Sequence, residues 1–183
     1  RVTAPKMVAF RAGVSPPETW SDLLLASQRL RARGVVPMAG GMDGTYPAFP
    51  VIYEWSYLGS FYLLETYYGR YPYTGDRWRG DFNIYEEMRQ YGVTNPAAAR
   101  LGRSAAEKVF LDGRVAFILD GPWFESMRRA YRPEFTSWGV FGPPVDRRAP
   151  FLPRFPGGVA EGVVVNARSR NKAAAVAFIR WPT

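Results

Sequence analysis

The stretch that most constrains this chain runs from Gly113 to Phe124, Gly-Arg-Val-Ala-Phe-Ile-Leu-Asp-Gly-Pro-Trp-Phe. A glycine ends a helix, a short apolar run makes a buried strand, and Asp120-Gly121-Pro122 then turns the chain abruptly. Gly121 permits the sharp bend, and proline suits a first helical turn, where its missing N–H removes nothing. The turn delivers Trp123 at the start of another helix, at the carboxyl end of a strand. In open α/β sheets that edge is where ligands collect. The residues alone leave two readings of Trp123 open: a buried structural ring and an aromatic platform on a rigid joint.

The rest of the chain alternates helix and strand signals. Thr19 and Asp22 form a carboxylate variant of the capping box, and Leu23, Leu24, Ala26 and Leu30 follow at helical spacing to a stop at Gly34. Residues 35–39 read as a strand, with Pro37 at an edge or strand end. A glycine-rich loop at 40–44 precedes a long apolar-aromatic helix expected over 47–68. On this helix Tyr53 and Trp55 read mainly as core. Residues 70–80 read as a loop, Asp81 as the cap of a helix to Tyr91, and Asn95-Pro96 as an interruption. Ser104 and Glu107 form a capping box for a helix ending at Gly113. Further strands are expected at 115–119, 138–141 and 159–166. A Pro-, Arg- and Gly-rich surface excursion spans 142–158, and Ser169 introduces a final alanine-rich helix. Strands alternating with helices argue α/β, with a mixed sheet flanked by helices.

With 183 residues, the chain suffices for one good core and is short for two domains. Mean hydropathy is −0.22, and no apolar run approaches the roughly 20 residues of a membrane span. The opening residues do not read as a signal peptide, and the chain lacks an initiator methionine, so an excised part of a longer precursor is expected.

Two absences carry more weight. The chain has no cysteine and no histidine. Disulfides, thiolate chemistry and Ser–His–Asp or Cys–His catalysis are therefore excluded within it, as are the commonest metal ligands. No metal, cofactor or catalytic residue is expected. A glycosidase-type carboxylate pair stays open, although the acids are scattered and adjacent Glu86 and Glu87 point different ways on a helix. The net charge of +8 raises nucleic acid as a partner. The arginines are dispersed, however, and no basic run or phosphate loop accompanies them. A solvated basic surface is expected, with no nucleic acid bound.

Several segments together resemble one family. Pro17-Glu18-Thr19-Trp20-Ser21-Asp22-Leu23-Leu24 with 34–39, and Gly41-Met42-Asp43-Gly44-Thr45-Tyr46-Pro47-Ala48, are similar to segments of the extracellular solute-binding proteins, family 1. So are Phe110 to Phe117 running into Gly121-Pro122-Trp123, and Gly157-Gly158 with 163–166 and 169–179. These are the maltose-binding-protein-like receptors of ABC importers. Each piece is weak alone, but their shared order over nearly the whole chain is specific.

The resemblance implies a periplasmic-binding-protein-like (type II) lobe. Residues 1–160 would form the second lobe of a two-lobed receptor, and 161–183 the strand and helix returning to the first. It implies a non-catalytic receptor outside the cytoplasm, periplasmic or a cell-surface lipoprotein. The receptor would capture a mono- or oligosaccharide between its lobes and deliver it to an ABC permease. The implied ligand-binding residues are Trp123, Tyr46, Asp43, Gly157 and Gly158. Sugars present apolar C–H faces beside dense hydroxyls, and a chain that is 16% aromatic is well stocked for stacking on them. Tyr46 stands where many relatives carry tryptophan, Asp43 reads equally as a turn cap, and the paired glycines read equally as an ordinary turn. The alternative is a carbohydrate-active enzyme or carbohydrate-binding domain with an aromatic groove.

Overall fold

A computed structural model describes residues 15–39, 51–121, 123–153 and 164–180, together with the backbone of Met7 and Val8. Four strands form one mixed sheet among these residues: β1 (Met7–Val8), β2 (Val36–Ala39), β3 (Val115–Ile118) and β4 (Val140–Phe141), in the order β2-β3-β1-β4. β2 and β3 run parallel, with Val36 opposite Val115 and Met38 opposite Phe117. β1 lies antiparallel to both β3 and β4.

β3 is buried along its whole length, as a strand covered on both faces must be. Ala116 and Phe117 join a core built with α1 (Trp20–Ala32), α2 (Val51–Tyr67) and α3 (Asp76–Tyr91). Val115 and Ile118 join a second core built with α4 (Pro96–Ala99), α5 (Arg103–Leu111) and α6 (Phe124–Tyr131). Helices therefore pack on both sides of the sheet, the α/β arrangement expected from the alternating pattern.

The capping box at the start of α1 forms as read: Thr19 N–H donates to Asp22 Oδ2 at 2.9 Å, and Asp22 N–H donates to Thr19 Oγ1 at 3.2 Å. Three helix starts differ from expectation. α3 begins at Asp76, and Asp81 is not its cap but a mid-helix residue left 2% exposed. Trp78, Asp81, Ile84 and Met88 are the buried positions of this helix, and that stripe extends the helix back through the apparent loop. In α5 Gly102 occupies the cap position without a side-chain bond, and Glu107 is buried rather than reaching back as a capping-box partner. Asn95 does not break the chain but caps α4, its Oδ1 accepting from Ala98 N–H at 2.7 Å.

The long aromatic helix forms as α2 but bends. Gly59 takes φ 69° and ψ 158°, so two helical halves meet there. A Cβ at Gly59 would lie 2.8 Å from Phe151 Cε2, so a close aromatic neighbour and a positive φ both require glycine.

β4 is shorter than the run read at 138–141, because Trp138 turns out of the strand to pack against Phe124 at 5.2 Å. Residues 159–163 of the expected last strand lie outside the described residues, and 164–166 are irregular. The final helix, α7 (Lys172–Ile179), starts three residues after Ser169, whose Oγ accepts from Asn171 N–H at 3.1 Å. None of its residues is buried.

Polar side chains tie the first core's helices together. Arg148 donates to Glu87 Oε1 at 2.6 Å and to Asp146 Oδ2 at 2.8 Å, while Tyr57 donates to Asp146 Oδ2 at 2.8 Å. Trp20 Nε1 donates to Glu87 Oε2 at 2.5 Å, and Tyr53 donates to the Pro144 carbonyl at 2.8 Å. Buried Asp146 is pushed up by desolvation, yet the Arg148 and Tyr57 hydrogen bonds hold it below the usual carboxylate range.

Candidate functional site

The joint between β3 and α6 is assembled from its own backbone. Gly113, at φ 74°, closes α5 and lets the chain enter β3. β3 ends at Ile118, and two residues later Asp120 is 6% exposed, its Oδ1 accepting from Gly121 N–H at 2.8 Å. The Gly121 carbonyl then accepts from Phe124 N–H at 3.0 Å, and the Trp123 carbonyl accepts from Ser126 and Met127 as α6 begins.

Two adjacent aromatics leave this joint in opposite directions. Phe124 is 1% exposed and meets Phe110 at 5.6 Å and Trp138 at 5.2 Å, so it fills the core position. Trp123 is 39% exposed. At that exposure the ring is not a fully buried structural one. A Cβ on Gly121 would lie 2.4 to 2.6 Å from three carbons of the indole, so the ring rests against a glycine that no other residue can replace without moving it. The Arg103 guanidinium, from the first turn of α5, stands 5.5 Å from the ring centre, within cation–π range.

Two buried acids adjoin the joint. Glu107 is 4% exposed and Asp120 6%. Burial, and then the neighbouring Asp120, push the Glu107 carboxyl up to about 7, with Arg103 opposing. Burial likewise raises Asp120, against the pull of the Gly121 N–H, Glu107, Trp123 and Arg103. These two carboxyls are enclosed and in contact with one another. Glycosidic hydrolysis needs two carboxyls that reach the substrate about 5 Å or more apart, and this pair does not offer them.

Of the other residues read as ligand-binding, Tyr46, Asp43, Gly157 and Gly158 lie outside the described residues. Tyr53 is fully buried, in line with a core role. Trp55 is half-buried and borders a groove of about 650 Å³ lined also by Phe61, Tyr71, Arg77 and Phe151. Among the described residues there is no acidic cluster that could hold a metal, and no helix is long and apolar enough to cross a membrane. Much of the positive charge is locally answered: Arg128 and Arg129 pair with Glu125 at 2.8 and 2.7 Å, and hydrogen bonds from both hold Glu125 down at about 2.

The reading of the sequence missed Arg103, Glu107 and Asp120 as parts of this site. Glu107 follows Arg103 by one helical turn, a spacing that places both on one face. That was the available signal, but the Ser-x-x-Glu pattern at 104–107 matched a cap first.

The family model of the bacterial extracellular solute-binding proteins matches residues 3–183. A maltotriose-binding protein from Thermus thermophilus, solved with maltotriose, is 21% identical, with a TM-score of 0.64 over 96% of this chain and 46% of that one. A structure from work on xylan utilization by Caldanaerobius polysaccharolyticus is 16% identical, with a TM-score of 0.70 over 96% of this chain and 47% of the other. A family 1 extracellular solute-binding protein from Bifidobacterium longum subsp. infantis is 17% identical, with a TM-score of 0.63 over 96% of this chain and 48% of the other. The chain thus spans about half the length of these structures, and at such identities they establish its fold. No curated protein sequence matches it significantly.

Proposed function

The chain belongs to the bacterial extracellular solute-binding proteins, and from that premise we propose that it is the second lobe of a sugar receptor serving an ABC importer. The observation that carries this reading is the Trp123 joint. Phe124 takes the core position, and a large flat ring is left exposed just beyond the end of β3. A half-exposed indole held against Gly121 offers an apolar face that suits the C–H face of a sugar ring.

In this reading Tyr46 and Asp43 on one loop, and Gly157-Gly158 on another, complete the lobe's side of the cleft. The aromatic at 46 adds a second stacking face, and the paired glycines let backbone N–H groups approach ligand hydroxyls. Residues 1–160 form the lobe, and 161–183 lead back to the first one. That α7 (Lys-Ala-Ala-Ala-Val-Ala-Phe-Ile) is strongly apolar yet has no buried residue supports this division, since an apolar helix needs a partner surface. Phe178 is 78% exposed there.

The receptor works without chemistry, by closing two lobes over the solute, and the closed form is what the permease engages. It acts outside the cytoplasm, in the periplasm or anchored to the cell surface. Titrating the two-lobed protein calorimetrically with a panel of mono- and oligosaccharides, alongside Trp123→Ala, tests this. A saccharide that binds the parent and is weakened by the substitution is the expected result. No saccharide binding, or hydrolysis of one, overturns the reading.

A further inference from the structure

The Trp123 joint holds more than its ring. Asp120 Oδ2 is buried and completes no well-formed hydrogen bond among the described residues, while the Glu107 carboxyl and the Trp123 indole N–H both act on the Asp120 carboxyl. Ionised carboxylates are acceptors only, so two of them in contact need a proton between them. We propose that Glu107 and Asp120 are positioning residues for the Trp123 platform, a buried carboxyl pair joined by one shared proton that holds the joint and loosens it when the proton leaves.

The connections form a closed circuit. Glu107 on α5 engages Asp120, and Asp120 accepts from Gly121 N–H at 2.8 Å. Gly121 supports the indole, and the indole stands under Arg103, one turn before Glu107 on the same helix. The charges balance in the one-proton state, with a single negative charge on the pair against Arg103. The neighbouring elements contribute apolar residues to the second core: Ala39 from β2, Ile118 from β3, Phe110 from α5 itself and Phe124 from α6. On α6, Glu125, Arg128 and Arg129 are engaged with one another. Among the described residues Arg103 is therefore the charged side chain whose field reaches both carboxyls.

Losing the shared proton places two negative charges in contact within a low-dielectric site against one cation. Repulsion acts on Asp120, which is bonded to the backbone that supports the ring. With Glu107 raised to about 7, the platform is held in mildly acidic conditions and loosened above neutrality.

For its effect on ligand affinity this inference rests on the function proposed above, so the first readout uses no ligand. The two-lobed protein is labelled with 5-fluorotryptophan, and the Trp123 fluorine resonance is assigned with Trp123→Phe. That resonance is expected to titrate with a midpoint near pH 7 in the parent. It should lose that titration in Glu107→Gln, whose amide donates permanently to Asp120, and in Asp120→Asn. Saccharide affinity in the parent should be roughly three- to tenfold weaker at about pH 8 than at about pH 6, the scale of a one-unit pKa change, and level in Glu107→Gln. A Trp123 resonance that does not move with pH, or a midpoint unchanged in both variants, overturns the proposal; the first of these needs no variant to fold. If no saccharide binds but the resonance titrates and both variants abolish it, the functional reading fails and the positioning pair stands.

Discussion

At the scale of single residues, two adjacent aromatics differ in placement: Phe124 packs the core, and Trp123 stays exposed, where the proposed function assigns it ligand contact. Trp123 is 39% exposed and Phe124 1%, so truncating each should have opposite consequences. In the two-lobed protein, Trp123→Ala is expected to weaken saccharide binding by roughly 1–3 kcal/mol, the scale of an aromatic anchor, with the melting temperature nearly unchanged. Phe124→Ala removes a ring held between Phe110 and Trp138 and is expected to cost about 3–5 kcal/mol of stability. Paired calorimetric titration and denaturant unfolding of both variants check this; equal stability losses would contradict the division. Gly121→Ala places a methyl where the indole carbons sit, and should reduce affinity as Trp123→Ala does while leaving Phe124 packed. Part of this was legible in the sequence, because Gly-Pro-Trp after a short apolar run places an aromatic at the end of a strand. Which of the two neighbouring rings turns outward was not, since that depends on Phe110 and Trp138 arriving from distant segments.

At the scale of elements, the strands β2 and β3 and the helices α1, α5 and α6 were readable because their apolar spacing and glycine stops are local. Errors fell where a tertiary contact outweighed a local signal. Residues 76–80 look like a loop, yet Trp78 is buried and draws the turn into α3. Ser104 and Glu107 fit a cap, yet burial against Asp120 claims the glutamate. Nothing in the spacing of α2 showed its bend, which comes from Phe151 closing on Gly59 from far along the chain. Gly59→Ala should therefore be destabilising twice over, by about 1 kcal/mol or more for the left-handed backbone and further for displacing Phe151. Thermal melts are the check, and an unchanged Tm would contradict the bend. The network of Arg148, Glu87, Asp146 and Tyr57 joins residues up to 89 positions apart, and no local pattern announces it.

At the scale of the whole molecule, two groups of acids pull stability in opposite directions with pH. Glu87, held low chiefly by Arg148, and Asp146 contribute stability above their ordinary carboxylate range that is lost as pH falls through their lowered values. Asp81 and Glu107, both raised to about 7, keep protons in the folded chain that the unfolded chain has released. Their effect is stability that declines as pH rises from the ordinary carboxylate range toward 7. The melting temperature should accordingly peak near about pH 5 and fall on both sides. Asp81→Asn should flatten the alkaline limb, and a melting temperature level from about pH 5 to 8 would contradict the assignment. The last expectation concerns the 183-residue chain used alone. It spans about half the length of the structures it resembles, and in the proposed function the second wall of the cleft belongs to the other half. Without that wall a sugar on Trp123 keeps one stacking face, loses the opposing hydrogen bonds and the exclusion of water, and gains nothing from closure. Calorimetry on the chain alone should therefore show weak or undetectable saccharide binding where the two-lobed protein binds. Micromolar or tighter binding by the chain alone would mean that its exposed aromatics already form a complete site, and would overturn the proposal that the cleft needs a second lobe.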